Sequence, residues 1–245
     1  MMGHVWQRDG KLIIAAKGSA ERILTICELT DEQRKEAEEK IDSLSSEGLR
    51  VIAIAAGYPQ TENEVPASIT DCRLTLLGLV GLADPPRESV KNDIAVCTKA
   101  GIRVVMITGD NGITASATAK KVGMPNSDHI VTGDMLEKMT DAELREAVKD
   151  VSIFSRVIPE HKMRIIKAFK DNGEIVAMTG DGVNDAPALK YADIGIAMGK
   201  RGSEVSREAA DLILMDDNFT TIVETVRDGR RIYDNIRKAV GYVFT

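Results

Sequence analysis

The chain is poor in the residues that mark several common classes of protein. Its 245 residues include three cysteines, Cys27, Cys72 and Cys97, which form no Cys-x-x-Cys pair and have no histidine at metal-ligand spacing. We therefore expect neither a disulfide framework nor a structural zinc site, and the thiols fit buried positions in a reducing compartment. Lysine and arginine number 32 against 38 aspartates and glutamates, a net charge of -6. This balance does not indicate a broad basic face for nucleic acid.

Two kinds of apolar segment are also missing. The first residues have no uninterrupted apolar core before Arg8 and Asp9, which argues against a secretory signal. No run approaches the ~20 apolar residues that cross a bilayer. We therefore expect the chain to be soluble, with any membrane attachment provided by segments outside it. The sequence shows no fold-scale internal repeat and no low-complexity tract.

The first third of the chain mixes strand-like and helical patterns. Apolar runs predict strands at residues 11–16, 49–56 and 74–82, and helical patterns occur at residues 21–28 and 31–47. In the longer helix the apolar residues recur at helical spacing until Gly48 ends the pattern. The polar stretch 58–68 contains two prolines and predicts an exposed loop.

The rest of the chain alternates regularly between strands and helices. Strand-like runs occur at residues 102–107, 151–154, 174–178, 194–197 and 211–214. Helical segments occur at residues 87–100, 112–122, 141–148, 159–171 and 186–192. This alternation is typical of a parallel sheet covered by helices, and fully apolar runs are expected where strands are buried on both faces. The predicted fold class is therefore α/β, with a doubly wound, mostly parallel sheet.

A repeated polar turn follows two of these strands. Thr108-Gly109-Asp110 comes after the run 102–107, and Thr179-Gly180-Asp181 comes after the run 174–178. Ligands of open parallel sheets collect at the carboxyl ends of the strands. Two equivalent turns at one edge of a sheet therefore predict a shared site.

The second turn opens the most informative run of the chain, residues 179–187. It places Asp181, Asn184 and Asp185 on a glycine-containing turn between a strand and a helix. Mg²⁺ prefers such oxygen ligands and completes its octahedron with water and phosphate oxygens, so the run indicates phosphate chemistry. A simpler reading explains Asp185 as a helix N-cap ahead of Pro187. That reading leaves Asp181 without a reason, because an acid at a buried strand end needs a partner.

The final segment, residues 218–245, has apolar residues at near-helical spacing and predicts one long helix with a basic face. If it is continuous, it is about 42 Å long. The helix turns apolar toward Thr245 and looks truncated there. The alternative is an ordinary amphipathic C-terminal helix.

Together these motifs resemble one family, the P-type ATPases, ion pumps whose phosphorylation domain has a haloacid-dehalogenase-like fold. The run 179–189 matches the hinge motif of that family without a break. Five more of its motifs are matched by Lys17-Gly18-Ser19-Ala20-Glu21, Gly48-Leu49-Arg50-Val51, Asp84-Pro85-Pro86-Arg87, Met106-Ile107-Thr108-Gly109-Asp110 and Arg156-Val157-Ile158-Pro159-Glu160-His161-Lys162. The first departs from the family's Lys-Gly-Ala-Pro-Glu at Ser19 and Ala20. The segment 216–238 resembles the stalk of the calcium- and sodium/potassium-transporting branch.

The resemblance implies roles for individual residues, with ATP and Mg²⁺ as cofactors. Nucleotide-binding residues would be Lys17, Gly18, Glu21, Arg50 and Arg156. Thr108, Gly109, Asp110, Lys162 and Asn184 would bind the phosphoryl group, and Asp181 and Asp185 would hold the metal. Thr108, Asp110, Lys162 and Asp181 would be catalytic. Read without the family, Lys162 and His161 could be solvated surface residues, and Arg50 could point outward from its strand.

The resemblance also divides the chain into three parts. These are the C-terminal part of an α+β nucleotide-binding domain (1–77), a phosphorylation domain lacking its first strand (78–217) and a stalk helix leading toward the membrane (218–245). We expect the chain to belong to the cytoplasmic side of an integral membrane pump. Its partners would be ATP, membrane helices, and an N-terminal portion with the nucleophile and actuator domain. The transported ion is not encoded here, and calcium is the first guess from the stalk.

One motif of the family does not occur in this sequence. The nucleophile lies in Asp-Lys-Thr-Gly-Thr, which none of the 245 residues supplies. Because covalent phosphoryl transfer needs that carboxylate, we expect the isolated chain to be inactive. Two readings follow: a catalytic fragment of an ATP-driven cation pump, or a non-enzymatic module that binds Mg²⁺ and nucleotide or complements another chain. A stand-alone phosphatase of the same fold is weaker, because it too needs an early aspartate.

Overall fold

Two units, Met1–Pro85 and Pro86–Thr245, divide the chain in a computed structural model that describes residues 1–59 and 65–244. Each unit has its own hydrophobic core. The boundary predicted after residue 77 falls within a strand of the first unit. Residues 60–64 of the predicted loop 58–68 lie outside the described residues.

The first unit is an antiparallel sheet with helices. Its elements are β1 (Met2–Arg8), β2 (Lys11–Ser19), α1 (Ala20–Ile26), α2 (Asp31–Ser46), β3 (Arg50–Pro59), a 3₁₀ turn (Ile69–Asp71) and β4 (Cys72–Leu82). The four strands pair in the order β1-β2-β3-β4. Strand β3 alternates between buried and more exposed residues, as expected for a sheet packed on one face only. Its buried face joins the α1 and α2 core.

Local sequence signals fix both ends of α2. The Thr30 hydroxyl accepts a hydrogen bond from the Gln33 N–H at 3.2 Å, and the Gln33 side chain accepts one from the Thr30 N–H at 3.1 Å. This reciprocal capping box satisfies donors of the first turn. At the other end Gly48 has φ of 82° and donates its N–H to the Ser45 carbonyl. Glycine tolerates this left-handed conformation, so the chain can turn directly into β3.

The second unit alternates strands and helices as predicted, with one strand, Ile130–Thr132, and two helices, Gly133–Lys138 and Glu204–Ala209, that the sequence did not predict. Its elements are α3 (Ser89–Lys99), β5 (Met106–Ile107), α4 (Gly112–Lys121), β6 (Ile130–Thr132), α5 (Gly133–Lys138), α6 (Asp141–Ala147), β7 (Ile153–Ser155), α7 (Pro159–Asp171), β8 (Ala177–Gly180), a 3₁₀ turn (Val183–Asp185), α8 (Ala186–Tyr191), β9 (Ile194–Met198), α9 (Glu204–Ala209), β10 (Leu212–Leu214) and α10 (Phe219–Val243). The prediction of an α/β fold with parallel strands is confirmed.

Within the described residues the parallel strands form two sheets of three. One has the order β5-β7-β6 and the other β10-β9-β8. Strand β5 is shorter than the predicted run 102–107, because its neighbour β7 begins only at Ile153, opposite Met106. Strand β8 begins and ends later than predicted, because it pairs with β9 from Ala177 to Gly180. The two Thr-Gly-Asp sequences therefore lie at the ends of edge strands of two different sheets, whereas the sequence predicted them at one edge of a single sheet.

The long helix α10 confirms the continuous helix predicted for the end of the chain. It begins after Asn218, whose side chain accepts a hydrogen bond from the Thr220 N–H at 3.3 Å. Several apolar side chains in its second half are exposed, including Ile232, Ile236 and Val240. Among residues 1–59 and 65–244, none of the helices combines the length and apolar character of a membrane span.

Candidate functional site

The first Thr-Gly-Asp turn is joined by backbone hydrogen bonds to the end of β7. The Thr108 N–H donates to the Phe154 carbonyl at 2.9 Å, and the Thr108 carbonyl accepts from the Val157 N–H at 3.1 Å. The Asp110 carbonyl accepts from the Arg156 N–H at 3.1 Å. Thr108 and Asp110 also meet directly, because the Thr108 hydroxyl accepts from the Asp110 N–H at 3.1 Å. The structure therefore brings Thr108, Asp110 and Arg156 together.

The second turn is organised around the side chain of Asp185. This carboxylate is only 7% exposed. One oxygen accepts from the backbone N–H groups of Asp181 at 3.2 Å and Gly182 at 3.1 Å. The other pairs with the Lys162 ammonium. Burial by itself would raise the pKa of Asp185, but the bonds from Lys162, Gly182 and Asp181 outweigh it and hold the pKa below its ordinary value.

Gly180 makes this arrangement possible. A Cβ placed on Gly180 would lie 2.6 Å from the Asp185 Cβ and 3.0 Å from its Cγ. Any other residue would displace the carboxylate, because real Cβ atoms do not approach so closely. The glycine between Thr179 and Asp181 thus has a steric role.

Lys162 reaches Asp185 from α7. Pro159 opens this helix at its first position, where its missing N–H costs nothing. Lys162 lies in the first turn, and its side chain is 22% exposed. The ion pair therefore joins the helix after β7 to the turn after β8. The alternative that Lys162 is merely a solvated surface lysine is wrong.

The neighbouring His161 corrects a second reading. It is 5% exposed rather than solvated, and its Nδ1 accepts from the Ile158 N–H at 3.5 Å. His161 and Ile165 are four residues apart on the buried face of α7. That spacing was the signal that could have identified it.

Asp181 differs from Asp185 in that its side chain is exposed. Its carbonyl is fixed instead, accepting from the Ser203 N–H at 2.8 Å and from the Ser206 hydroxyl at 3.2 Å. Sequence reasoning missed both serines, which no local motif marks. The exposed carboxylate and the exposed Asn184 amide nearby are hard oxygen donors that fit Mg²⁺. Asp185 fits it less well, because both of its oxygens are already engaged.

A metal bound here would need further ligands. Across the described part of the chain, no group of three or more His, Cys, Asp or Glu side chains is arranged to hold a metal ion. Mg²⁺ usually takes only one or two protein carboxylates and keeps water and phosphate oxygens. The donor set at Asp181 is thus consistent with Mg²⁺ held jointly with a phosphate.

The remaining predicted site residues lie in the first unit. Lys17, in β2, stands opposite Ile54 of β3. Because directly paired and alternate residues share one face of a sheet, Lys17, Ile54 and Arg50 lie on the same face. Lys17 and Arg50 are both exposed. Gly18 pairs with Ala53, and Glu21 is exposed in the first turn of α1.

The fold and these turns define a class: a parallel α/β domain with carboxylate, lysine and threonine groups at the carboxyl ends of its strands. Comparison with known families agrees. The model of the haloacid dehalogenase-like hydrolases matches residues 62–193. The model of the P-type ATPase cytoplasmic domain N matches residues 1–89. The chain therefore belongs to the P-type ATPases, which carry a haloacid-dehalogenase-like domain.

Individual relatives are named as calcium- or cation-transporting ATPases. A calcium-transporting ATPase of Bacillus subtilis is 49% identical over 87% of this chain and 24% of its own length. Calcium-transporting ATPase 1 of Lactococcus lactis is 42% identical over 100% of this chain and 29% of its own length. The cation-transporting ATPase pma1 of Synechocystis is 45% identical over 96% and 27%. The chain thus spans 24–29% of the length of these relatives.

Proposed function

We propose that this chain is a catalytic part of an ATP-driven cation pump, binding ATP and Mg²⁺ for phosphoryl transfer to an aspartate outside these 245 residues. The observation that carries the proposal is the pairing of Lys162, from α7, with Asp185 in the turn after β8 that also holds Asp181. Phosphoryl transfer is catalysed mainly by positioning and by positive charge around the phosphoryl oxygens. A fixed lysine beside an exposed carboxylate that can hold Mg²⁺ would supply that charge.

Each residue of the proposed phosphoryl-transfer site then has a defined task. Asp181, supported by Asn184, would hold Mg²⁺, which when bound would supply positive charge beside the phosphate oxygens. Asp185 fixes Lys162 and the backbone of the turn, and Lys162 faces the transferred phosphoryl oxygens. Thr108, Gly109 and Asp110 surround the same phosphoryl group, with the Thr108 hydroxyl as a hydrogen-bond donor.

In the first unit, the exposed sheet face with Lys17 and Arg50 is the proposed nucleotide surface. Ile54, opposite Lys17 and on the same face as Arg50, offers an apolar contact. Lys17, with Gly18 and Glu21 beside it, would line the adenine pocket, and Arg50 would reach the phosphates. Cationic side chains suit a polyphosphate ligand.

The edge strands β5 and β8 indicate how the nucleophile would be supplied. Each has hydrogen-bond partners on one side only within the described residues, and unpaired strand edges favour addition of another strand. We propose that a strand ending in Asp-Lys-Thr-Gly-Thr pairs there and presents its aspartate to the two turns. The parent pump would add the actuator domain and membrane helices. Calcium is the proposed ion, since several relatives carry it in their names.

Calorimetric titration with ATP and Mg²⁺ tests the nucleotide surface. Lys17→Ala should weaken binding about tenfold, as loss of a charged contact does. Lys11→Ala is the matched control, because Lys11 is an exposed lysine at the other end of the same strand. Binding that is absent from the wild type, or equal in Lys17→Ala and wild type, would refute the assignment.

The alternative is a non-enzymatic half-protein that binds Mg²⁺ and nucleotide, which the absence of Asp-Lys-Thr-Gly-Thr from these residues favours. Radiolabelled ATP with Mg²⁺, followed by an acid quench, separates the two. The chain alone should take up no acid-stable label. A companion segment carrying the motif should become labelled when mixed with the chain, and persistent lack of label would support the non-enzymatic reading.

A further inference from the structure

We propose that Asp217, 36 residues beyond Asp181 in the chain, is a positioning residue that holds the Asp181 turn in place. The loop 199–203, which follows β9, would transmit this effect. The inference rests on the proposed function, in which Asp181 holds Mg²⁺. Asp217 belongs to none of the motifs that the family resemblance assigns to nucleotide, phosphoryl group or metal.

Asp217 is a buried carboxylate engaged by the backbone of this loop. It is 6% exposed, and its two oxygens accept from the N–H groups of Lys200 at 3.0 Å and Arg201 at 2.9 Å. The Arg201 Nε lies 3.6 Å from the second oxygen. A buried anion is costly unless it is paired, and here the loop N–H groups and Arg201 pair it. Removal of the carboxylate would therefore leave these loop groups without their acceptor.

The Asp217 backbone is itself held on both sides. Its N–H donates to the Leu214 carbonyl at 3.2 Å, and the same carbonyl accepts from the Gly199 N–H at 2.8 Å. Its own carbonyl accepts from the Arg87 guanidinium at 2.6 Å. Asp217 has φ of 54°, which aspartate and asparagine tolerate better than most residues. The carboxylate therefore has a fixed position from which to hold the loop.

The other end of the loop contacts the Asp181 turn. The Ser203 N–H donates to the Asp181 carbonyl at 2.8 Å, and the Ser206 hydroxyl donates to the same atom at 3.2 Å. The loop between is tightly folded: a Cβ on Gly202 would lie 1.9 Å from the Met198 carbonyl oxygen, and Arg207 donates to the Gly202 carbonyl. A loop this constrained would move as one piece, so releasing it at Lys200 and Arg201 would shift Ser203.

The expected consequence is a loss of metal affinity. Groups that orient a metal ligand from behind typically change affinity by about 10- to 100-fold when removed. Asp217→Asn keeps the shape and the left-handed backbone but replaces one accepting oxygen with an NH₂ group, which cannot accept. We expect about tenfold weaker Mg²⁺ binding in this variant.

Asp211→Asn is the matched control. Asp211 is also an aspartate of the β9–β10 sheet whose carboxylate accepts a backbone N–H, from Gly195 at 2.8 Å. Gly195 lies near the start of β9, whereas the loop 199–203 follows its end. Asp211→Asn should therefore disturb the same sheet without reaching Asp181.

The experiment is an NMR titration of the full 245-residue chain with Mg²⁺, following the amide signals of Asp181 and Gly182. Asp217→Asn should need about ten times more Mg²⁺ for half-maximal shift, and Asp211→Asn should match the wild type. An unchanged midpoint in Asp217→Asn, or an equal loss in both variants, would overturn the positioning role. If Asp217→Asn does not fold, Asp217→Gly removes the same carboxylate at a backbone position that glycine adopts readily.

A metal-free comparison separates the two proposals. If the wild type shows no Mg²⁺-dependent shift, the proposed metal site fails. The positioning role is then judged from the spectra without metal. Displaced Asp181 and Gly182 signals in Asp217→Asn but not in Asp211→Asn would sustain it, and unmoved signals would overturn it.

Discussion

The two units hold their candidate binding groups in different ways. In the first unit Lys17 and Arg50 stand exposed on an open sheet face. In the second, Lys162 and Asp185 form a largely buried pair fixed by backbone N–H groups. An exposed lysine is free to adjust to a ligand, whereas a buried pair is positioned before the ligand arrives. The difference matches the proposed division between nucleotide binding and phosphoryl transfer, which needs accurate placement.

The carboxylates show the same contrast. In the second unit two buried aspartates, Asp185 and Asp217, have pKa values held below their ordinary range. Exposed carboxyl groups with lowered pKa values are Asp128, Glu143, Asp193 and Asp216. In the first unit the corresponding shift is that of Glu36, where hydrogen bonding to Lys40 on the surface of α2 lowers the pKa. Charged carboxylates therefore contribute more to the fold of the second unit.

Among the variants that test this contrast, Lys162→Ala should have the largest effect on stability. It leaves the buried Asp185 carboxylate without its cation, and breaking a buried pair in this way costs about 3 kcal/mol. Amide hydrogen exchange resolved along the chain should show faster exchange throughout residues 86–244 and unchanged exchange in residues 1–59. Lys170→Ala is the control: Lys170 lies on the same helix and pairs with Asp193 at 3.1 Å, but both side chains are more exposed. An equal loss in both variants would contradict the special position of Lys162.

Acidification should destabilise the second unit before the first. A carboxyl group whose pKa is lowered in the folded chain adds stability above its unfolded pKa, about 4, and loses it as the pH falls through the lower folded value. Stability of residues 86–244 should thus be level from pH 7 to about 5 and then fall. Hydrogen exchange and circular dichroism between pH 7 and 2 measure this. Simultaneous loss of both units, or earlier loss of the first, would count against the contrast.

Much of the second unit could be predicted because its signals are local. Helix α7 spans the predicted residues 159–171, where Pro159 marks the start and apolar spacing marks the buried face. The two Thr-Gly-Asp sequences were correctly placed at the ends of parallel strands, but not on one sheet, because β5 and β8 pair within different sheets. In contrast, the β1–β2 hairpin was missed although Asp9-Gly10 carries its signal, with φ values of 52° and 76°.

The rest depends on contacts between residues far apart in the chain. Ser206 meets Asp181 across 25 positions, and Asp217 meets Lys200 across 17. Neither contact has a periodic or motif signal, because serine and aspartate are ordinary loop residues. Likewise, the sequence cannot indicate that Asp185 is engaged on both oxygens, since that depends on how β8 and α7 pack.

Two fully buried serines of the second unit should show smaller changes in the free energy of unfolding, of opposite sign, when each is replaced by alanine. Ser155 and Ser206 are both 0% exposed. Within the described residues the Ser155 hydroxyl has no hydrogen-bond partner, whereas the Ser206 hydroxyl contacts Asp181 and Ser203. Ser155→Ala should stabilise by about 1 kcal/mol and Ser206→Ala should destabilise by a similar amount. Urea unfolding of both variants measures this, and a loss of stability in Ser155→Ala would show that its hydroxyl is satisfied.

The smallest expected effect belongs to the first unit. Lys40 pairs with Glu36 at 2.6 Å one helical turn apart on α2, and both side chains are more than 60% exposed. Such pairs gain little, because water screens them and ordering long side chains costs entropy. Lys40→Ala should therefore leave the melting temperature unchanged within error, although its ion pair is as short as that between Lys120 and Asp128. A clear destabilisation would mean that burial does not explain the difference expected between Lys40 and Lys162.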